Sequence, residues 1–369
     1  MSAKGLEGIV AAQSSISSII DGVLTYAGIN IDELAENASF EEVVYLLWHG
    51  RLPKANELSQ LKKDLAENAA IPEDVITLLK TIPEGNHPMA VLRTAISALA
   101  LYDPEAQDMS REANLRKATR LQAKVATVVA AYHRIRQGKE VVAPHAEFGY
   151  AQNFLYMLNG EEPDQIAIDA LDTALVLHAD HELNASTFAA RVTVATLSDI
   201  YSGITSAIGA LKGPLHGGAN EAVMAMLEEI KDPGNAESYI RNKLANKEKI
   251  MGFGHRVYKD GDPRAKHLRK MSEKLTKLTG QPQWYEMSVK IDELVTAEKG
   301  LKPNVDFYSA SVYHSLGIPR DLFTPIFAIS RMSGWTAHIL EQYENNRLIR
   351  PRAEYVGPVN AHYVPLEER

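Results

Sequence analysis

Apolar residues recur along most of this chain at steps of three and four, the spacing that gathers them on one face of an α-helix. Over residues 114–136, Leu115, Ala118, Leu121, Val125, Val128, Tyr132 and Ile135 follow that rhythm, and Gly138 stands where such a helix would stop. Ser39 followed by Glu42 predicts a capping box ahead of the apolar run 43–48, because each side chain can satisfy a backbone donor left open at a helix start. Asp262 and Pro263 predict another start, with Asp at the cap and Pro first in the helix. Arg264 then falls in the first turn, and Leu268, Met271, Leu275 and Leu278 share a face before Gly280. Similar patterns cover 163–178, 219–230, 284–299 and 324–343. Alternating stretches that would make strands are nearly absent, apart from weak candidates in the first 30 residues. No internal repeat or low-complexity linker interrupts the helical rhythm.

Composition narrows the chemistry. A length of 369 residues, 45% of them hydrophobic, suits a globular chain of about two domains at roughly 150 residues each. The absence of cysteine excludes disulfides, thiolate zinc sites, iron-sulfur clusters and a cysteine nucleophile. A net charge of −8 argues against nucleic acid and anionic membranes as partners. No apolar run approaches the roughly 20 residues that span a bilayer, and Glu7 and Gln13 interrupt any signal-like core, so a cytoplasmic protein is expected. Residues 241–277 reverse the overall sign, with 12 Lys or Arg against 4 Asp or Glu. That stretch is either a solvated face or an attractor for a polyanionic ligand.

Four segments hold residues that a plain helical protein does not require. Gly213-Pro214-Leu215-His216-Gly217-Gly218 leads into a predicted helix; His216 is either a loop residue among turn glycines or a neutral imidazole that can donate to a developing enolate. Met251-Gly252-Phe253-Gly254-His255-Arg256 combines glycines that permit close backbone approach with basic surroundings, but it is neither a dinucleotide nor a P-loop fingerprint. Lys302-Pro303-Asn304-Val305-Asp306-Phe307-Tyr308 offers Asp306 as either a helix cap or a general base tuned by apolar neighbours. His178-Ala179-Asp180-His181-Glu182 has histidines three apart with carboxylates nearby, which opens a metal-dependent hydrolase reading at His178 and His181, although HExxH is absent. Arg331 is the only formal charge within 322–340, so it needs either a core salt bridge or an anionic ligand. Together with Arg264 and the late Arg350, it could clamp a small dicarboxylate.

In chain order, GPLHGGAN, MGFGHRVY with DPR, PNVDFYS, the isolated Arg and the late Arg-Pro resemble the citrate synthase family in its compact homodimeric form, known from Gram-positive bacteria and archaea. LWHGRLP and HADHELNAS extend the resemblance over nearly the whole chain. It implies an all-α, nearly all-helical fold, with a large domain of residues 1–217 plus 318–369 and a small mobile domain of 218–317. It implies His216, His255 and Asp306 as catalytic residues. Oxaloacetate would be bound by His181, Arg264, Arg331 and, across a homodimer, Arg350. Met251, Gly252, Phe253, Gly254 and Lys259 would contact CoA. It further implies condensation of acetyl-CoA with oxaloacetate, without cofactor or metal. Leu183-Asn184 stands where animal-type members carry glycines, so contacts just after His181 do not transfer. The extension of the NADH-inhibited hexameric members is missing, so that inhibition is not expected. The nearest rival is 2-methylcitrate synthesis from propionyl-CoA, because one methylene alters discrimination by only about 1–3 kcal/mol.

Overall fold

The computed structural model describes residues 4–6, 8–255, 257–258 and 260–369. Among these the helices are α1 (Ile31–Asn37), α2 (Phe40–His49), α3 (Ala55–Glu67), α4 (Glu73–Thr81), α5 (Pro88–Leu99), α6 (Arg111–Arg136), α7 (Tyr150–Asn159) and α8 (Gln165–His178). There follow α9 (Ala185–Val194), α10 (Ile200–Leu211), α11 (Ala219–Ile230), α12 (Ala236–Ala245), α13 (Ala265–Leu278), α14 (Gln283–Lys299), α15 (Val305–Ser315) and α16 (Phe323–Glu344). The weak strand signals near the N-terminus correspond to a small antiparallel meander, β1 (Ser17–Ile20), β2 (Val23–Tyr26) and β3 (Ile29–Asn30), with Ser17 opposite Tyr26 and Thr25 opposite Asn30. Its inward residues Leu24 and Tyr26 are fully buried, and the Tyr26 hydroxyl donates to the Val176 carbonyl at 3.1 Å, tying the sheet to the end of α8.

The helical rhythm reads through to the structure with small shifts at the ends. The long pattern over 114–136 is α6, and both halves of the Ser39–Glu42 capping box are present at α2. α16 is buried along nearly its whole length and packs against α2, α6, α8, α9 and α10, which makes it the axis of the core. Its sequence is mostly apolar or neutral, as such a position requires, with Arg331 the exception ahead of its last turn. Helices α11 to α15 pack mainly on one another; α11 also meets α16, α15 meets α8, and Lys266 and His267 of α13 bond to Asp32 of α1. Among the described residues, no helix is long and apolar enough to cross a membrane.

Two predicted helix starts differ. Asp262 and Pro263 do not open α13, which begins at Ala265. The Asp262 carboxylate accepts instead from the Arg264 backbone and guanidinium and from the Val305 N–H, so it is drawn inside rather than left as a cap. Asp306 is likewise no cap: Asn304 caps α15 by accepting from the Asp306 N–H at 3.0 Å.

Candidate active site

The end of α8 delivers two histidines to different places. His178 is fully buried; its Nδ1 lies 2.7 Å from the Ala174 carbonyl, an acceptor only, so that nitrogen carries the proton. Burial pushes His178 down to about 3. Asp180 turns toward Ser17 and His338, whose Nε2 is 3.1 Å from its carboxylate. His181 alone faces the cluster described below. Its Nε2 is 2.9 Å from the Tyr258 hydroxyl and its ring centroid 5.0 Å from that of His255. Burial, then the charge of Arg264, holds His181 well below the usual imidazole range. Among the described residues no three His, Asp or Glu side chains converge as metal ligands, and the metal reading at His178 and His181 is therefore without a coordination set.

Arg331 projects from the middle of α16, 1% exposed. Its Nε donates to the His178 carbonyl at 2.8 Å and its guanidinium carbon lies 4.7 Å from the centre of the Phe327 ring. Among the described residues no carboxylate comes within ion-pair distance, and burial pushes Arg331 down to about 10. A core salt bridge does not account for this residue. Arg264 is equally buried but closed: Nε and Nη2 donate to Asp262 Oδ1 and Oδ2 at 2.9 and 2.7 Å. Burial opposes both charges of that pair, but their attraction prevails, raising Arg264 and lowering Asp262.

The segment of Met251, Gly252, Phe253 and Gly254 runs beside Lys302 to Asn304. The Gly254 N–H donates to the Lys302 carbonyl, the Asn304 N–H to the Gly252 carbonyl, and Asn304 Nδ2 to the Gly254 carbonyl, at 2.9, 2.9 and 3.0 Å. Gly252 has φ +82°, and a Cβ there would lie 2.8 Å from Val223 and 2.9 Å from Phe307. Its lack of a side chain thus serves the protein's own packing. These bonds hold His255 next to the start of α15, which carries Asp306. Burial pushes Asp306 up to about 7 against the pull of Arg264, and its Oδ1 has no hydrogen-bond partner. His255 Nδ1 accepts from the Val257 N–H at 3.1 Å, which leaves the neutral ring's proton on Nε2; burial, then Arg264, push it down to about 4.

His216 lies in the turn before α11 rather than in the helix itself. The Ser186 N–H donates to its Nε2 at 3.3 Å, and the Ser186 hydroxyl is 2.8 Å from the same atom. A backbone N–H can only donate, so Nε2 accepts and the proton of the neutral ring is on Nδ1. Burial, reinforced by Arg331, pushes His216 down to about 4. Ser186 is itself fixed by Trp335 Nε1 at 3.0 Å and by Asn184 Oδ1 at 2.8 Å.

The structure thus gathers His181, His216, His255, Arg264, Arg331 and Asp306. Arg350 is exposed and follows the end of α16. Lys259 lies outside the described residues. Sequence reading missed Ser186, Tyr258, Asp262 and Asn304, which orient the others. Only the last two left a signal, Asp262 as a predicted cap before Pro263 and Asn304 as a member of the segment that carries Asp306.

The family profile "Citrate synthase, C-terminal domain" matches residues 5–352. The chain is 68% identical to "Citrate synthase 2" of Bacillus subtilis over 99% of both chains, and 44% identical to "2-methylcitrate synthase 1" of Corynebacterium glutamicum over 99% and 98%. It resembles the crystal structure of citrate synthase from Pyrobaculum aerophilum with TM-score 0.93 and 42% identity, covering 99% of this chain and 95% of that one. It also resembles citrate synthase from Thermoplasma acidophilum in its ternary complex with carboxymethyl coenzyme A and oxaloacetate, with TM-score 0.93 and 38% identity over 99% of both. Near-complete coverage in sequence and in structure leads to one conclusion: the chain belongs to the citrate synthase family.

Proposed function

We propose that the enzyme condenses acetyl-CoA with oxaloacetate and hydrolyses the resulting citryl-CoA to citrate and CoA, an acyl transfer of the citrate (Si)-synthase class. One observation carries the assignment of roles: an unpartnered Asp306 carboxylate raised to about 7 shares a cluster with imidazoles held neutral. A thioester methyl is a very weak acid, so its deprotonation needs a base together with a donor at the oxygen where charge develops. Asp306 takes the methyl proton while His216 Nδ1–H donates to the thioester oxygen, giving an enol. The enol carbon attacks the ketone of oxaloacetate, and His255 Nε2–H donates to the ketone oxygen as it gains charge. Water then cleaves the citryl thioester.

Oxaloacetate is a dianion, and Arg331 is a buried cation with no carboxylate beside it among the described residues. In this reading its carboxylates are held by Arg331, Arg264 and His181, with Arg350 arriving from the partner of a homodimer. Met251, Gly252, Phe253, Gly254 and Lys259 line the CoA side within the basic stretch 241–277. Residues 218–317 move as a small domain against 1–217 and 318–369, and closure on oxaloacetate keeps acetyl-CoA from being hydrolysed unproductively. The reaction as written calls for no metal or other cofactor, and the reading takes the enzyme to be cytoplasmic.

The nearest alternative differs by one methylene. Comparing kcat/KM for acetyl-CoA and propionyl-CoA with oxaloacetate is the test. At least tenfold preference for acetyl-CoA is expected; a preference for propionyl-CoA overturns the substrate assignment.

A further inference from the structure

Glu221, the third residue of α11, has no part in the chemistry above, yet its carboxylate lies where the starts of three helices meet. Oε1 accepts from the Thr324 N–H of α16 at 3.3 Å and from the Thr324 hydroxyl. Oε2 is 3.2 Å from Nε2 of His87, the cap of α5. His87 Nδ1 accepts from the Met89 N–H at 3.2 Å, so the neutral ring keeps its proton on Nε2 and donates it to Glu221. The Thr324 hydroxyl is also 3.2 Å from the carbonyl of Gly217, the residue after His216. On its other side the Gly217 N–H donates to the Leu211 carbonyl at 2.9 Å, and a Cβ on Gly217 would lie 2.5 Å from that oxygen. The peptide between His216 and Gly217 is therefore fixed to α10, and the next one, between Gly217 and Gly218, meets α16 at Thr324.

We propose that Glu221 and Thr324 are positioning residues that set the reach of His216 Nδ1. The inference rests on the reading of His216 as the donor to the thioester oxygen. Ser186 fixes the far edge of the imidazole, and the Gly217 peptide fixes its backbone root; the donor points correctly only when both are held. Thr324 and Arg331 stand seven residues apart on α16, on one face of that helix. The helix that carries a candidate oxaloacetate arginine thus also holds the His216 turn, which registers the donor on the acetyl group to the site of the second substrate. Misplacement by about 1 Å costs on the order of 10²-fold in rate.

The test compares Thr324→Val, which keeps the shape and removes the hydroxyl, with Thr324→Ser, which restores it, and with Glu221→Gln. Turnover is measured with acetyl-CoA, and oxaloacetate binding by calorimetry. The clamp predicts a fall in kcat of about 10- to 100-fold for Thr324→Val and about 3- to 30-fold for Glu221→Gln. Oxaloacetate affinity stays within about threefold, and Thr324→Ser returns kcat to within about threefold of the parent. Unchanged kcat in Thr324→Val and Glu221→Gln overturns the proposal, as does a loss of oxaloacetate affinity equal to the loss of kcat. Should Thr324→Val not fold, Glu221→Gln is judged by the same criteria. His216→Gln runs in parallel. Near-normal turnover there defeats the underlying reading of His216, whereas its inactivity beside a fully active Thr324→Val defeats only the clamp.

Discussion

Arg264 and Arg331 are equally buried and yet electrostatically opposite. Arg264, just ahead of α13, is met by both oxygens of Asp262. Arg331, in the middle of α16, has a carbonyl, an aromatic face and, among the described residues, no carboxylate at ion-pair distance. An uncompensated buried charge costs several kcal/mol. The α16 side thus keeps a charge that a dianion would complete. The Arg264 side is neutralised in advance through Asp262, which also accepts from the Val305 N–H beside Asp306. The contrast fits the proposed division of labour, in which α8 and α16 hold a substrate on core helices while the chemistry falls to the His255 segment and the start of α15 stitched to it.

The division predicts that Asp306→Asn removes chemistry and leaves binding. Turnover should fall by about 10³-fold or more, since a lost general base alone typically costs 10²–10⁴. Substantial turnover in a coupled CoA-release assay would break the contrast at its chemical end. The same variant sharpens it through stability. A carboxyl whose folded pKa is raised to about 7 leaves stability intact below its unfolded value near 4 and erodes it as pH rises through 7. Asp306→Asn should therefore be more stable than the parent at pH 8 by on the order of 2–4 kcal/mol, with the gap closing toward pH 4. Chemical denaturation at the two pH values checks this, and a gap independent of pH would contradict the buried, unpartnered carboxylate. A smaller effect is expected from Asn304→Ala, which cuts the side-chain bond to Gly254 and the cap of α15. A loss of about 1 kcal/mol in stability and about tenfold in kcat should follow. Unchanged kcat would show that the stitch does not align His255 with Asp306.

Much of this was legible in the sequence because it rests on local chemistry. The three-and-four rhythm gave the helices their places, and Arg331 stood out as a lone charge in an apolar run. His216, His255 and Asp306 were marked by glycine and proline neighbours. The orienting residues were not legible, because their roles come from tertiary proximity. Ser186 meets His216 across 30 positions, and Tyr258 meets His181 across 77. Asp262 carried a true signal with a misread purpose: an Asp-Pro helix start describes an exposed cap, whereas a guanidinium two residues on pulled the carboxylate inward. Asp306 in turn owed its freedom to Asn304, which took over the capping bond.

The central claim, that α16 holds a cation awaiting a dianion, is tested most directly by titrating oxaloacetate into the parent and Arg331→Gln in a calorimeter, with Asp306→Asn as the reference. The account predicts that Asp306→Asn binds as the parent does and that Arg331→Gln binds at least about 100-fold more weakly, the scale of losing a buried charged hydrogen-bond partner. Binding by Arg331→Gln within threefold of the parent would contradict it.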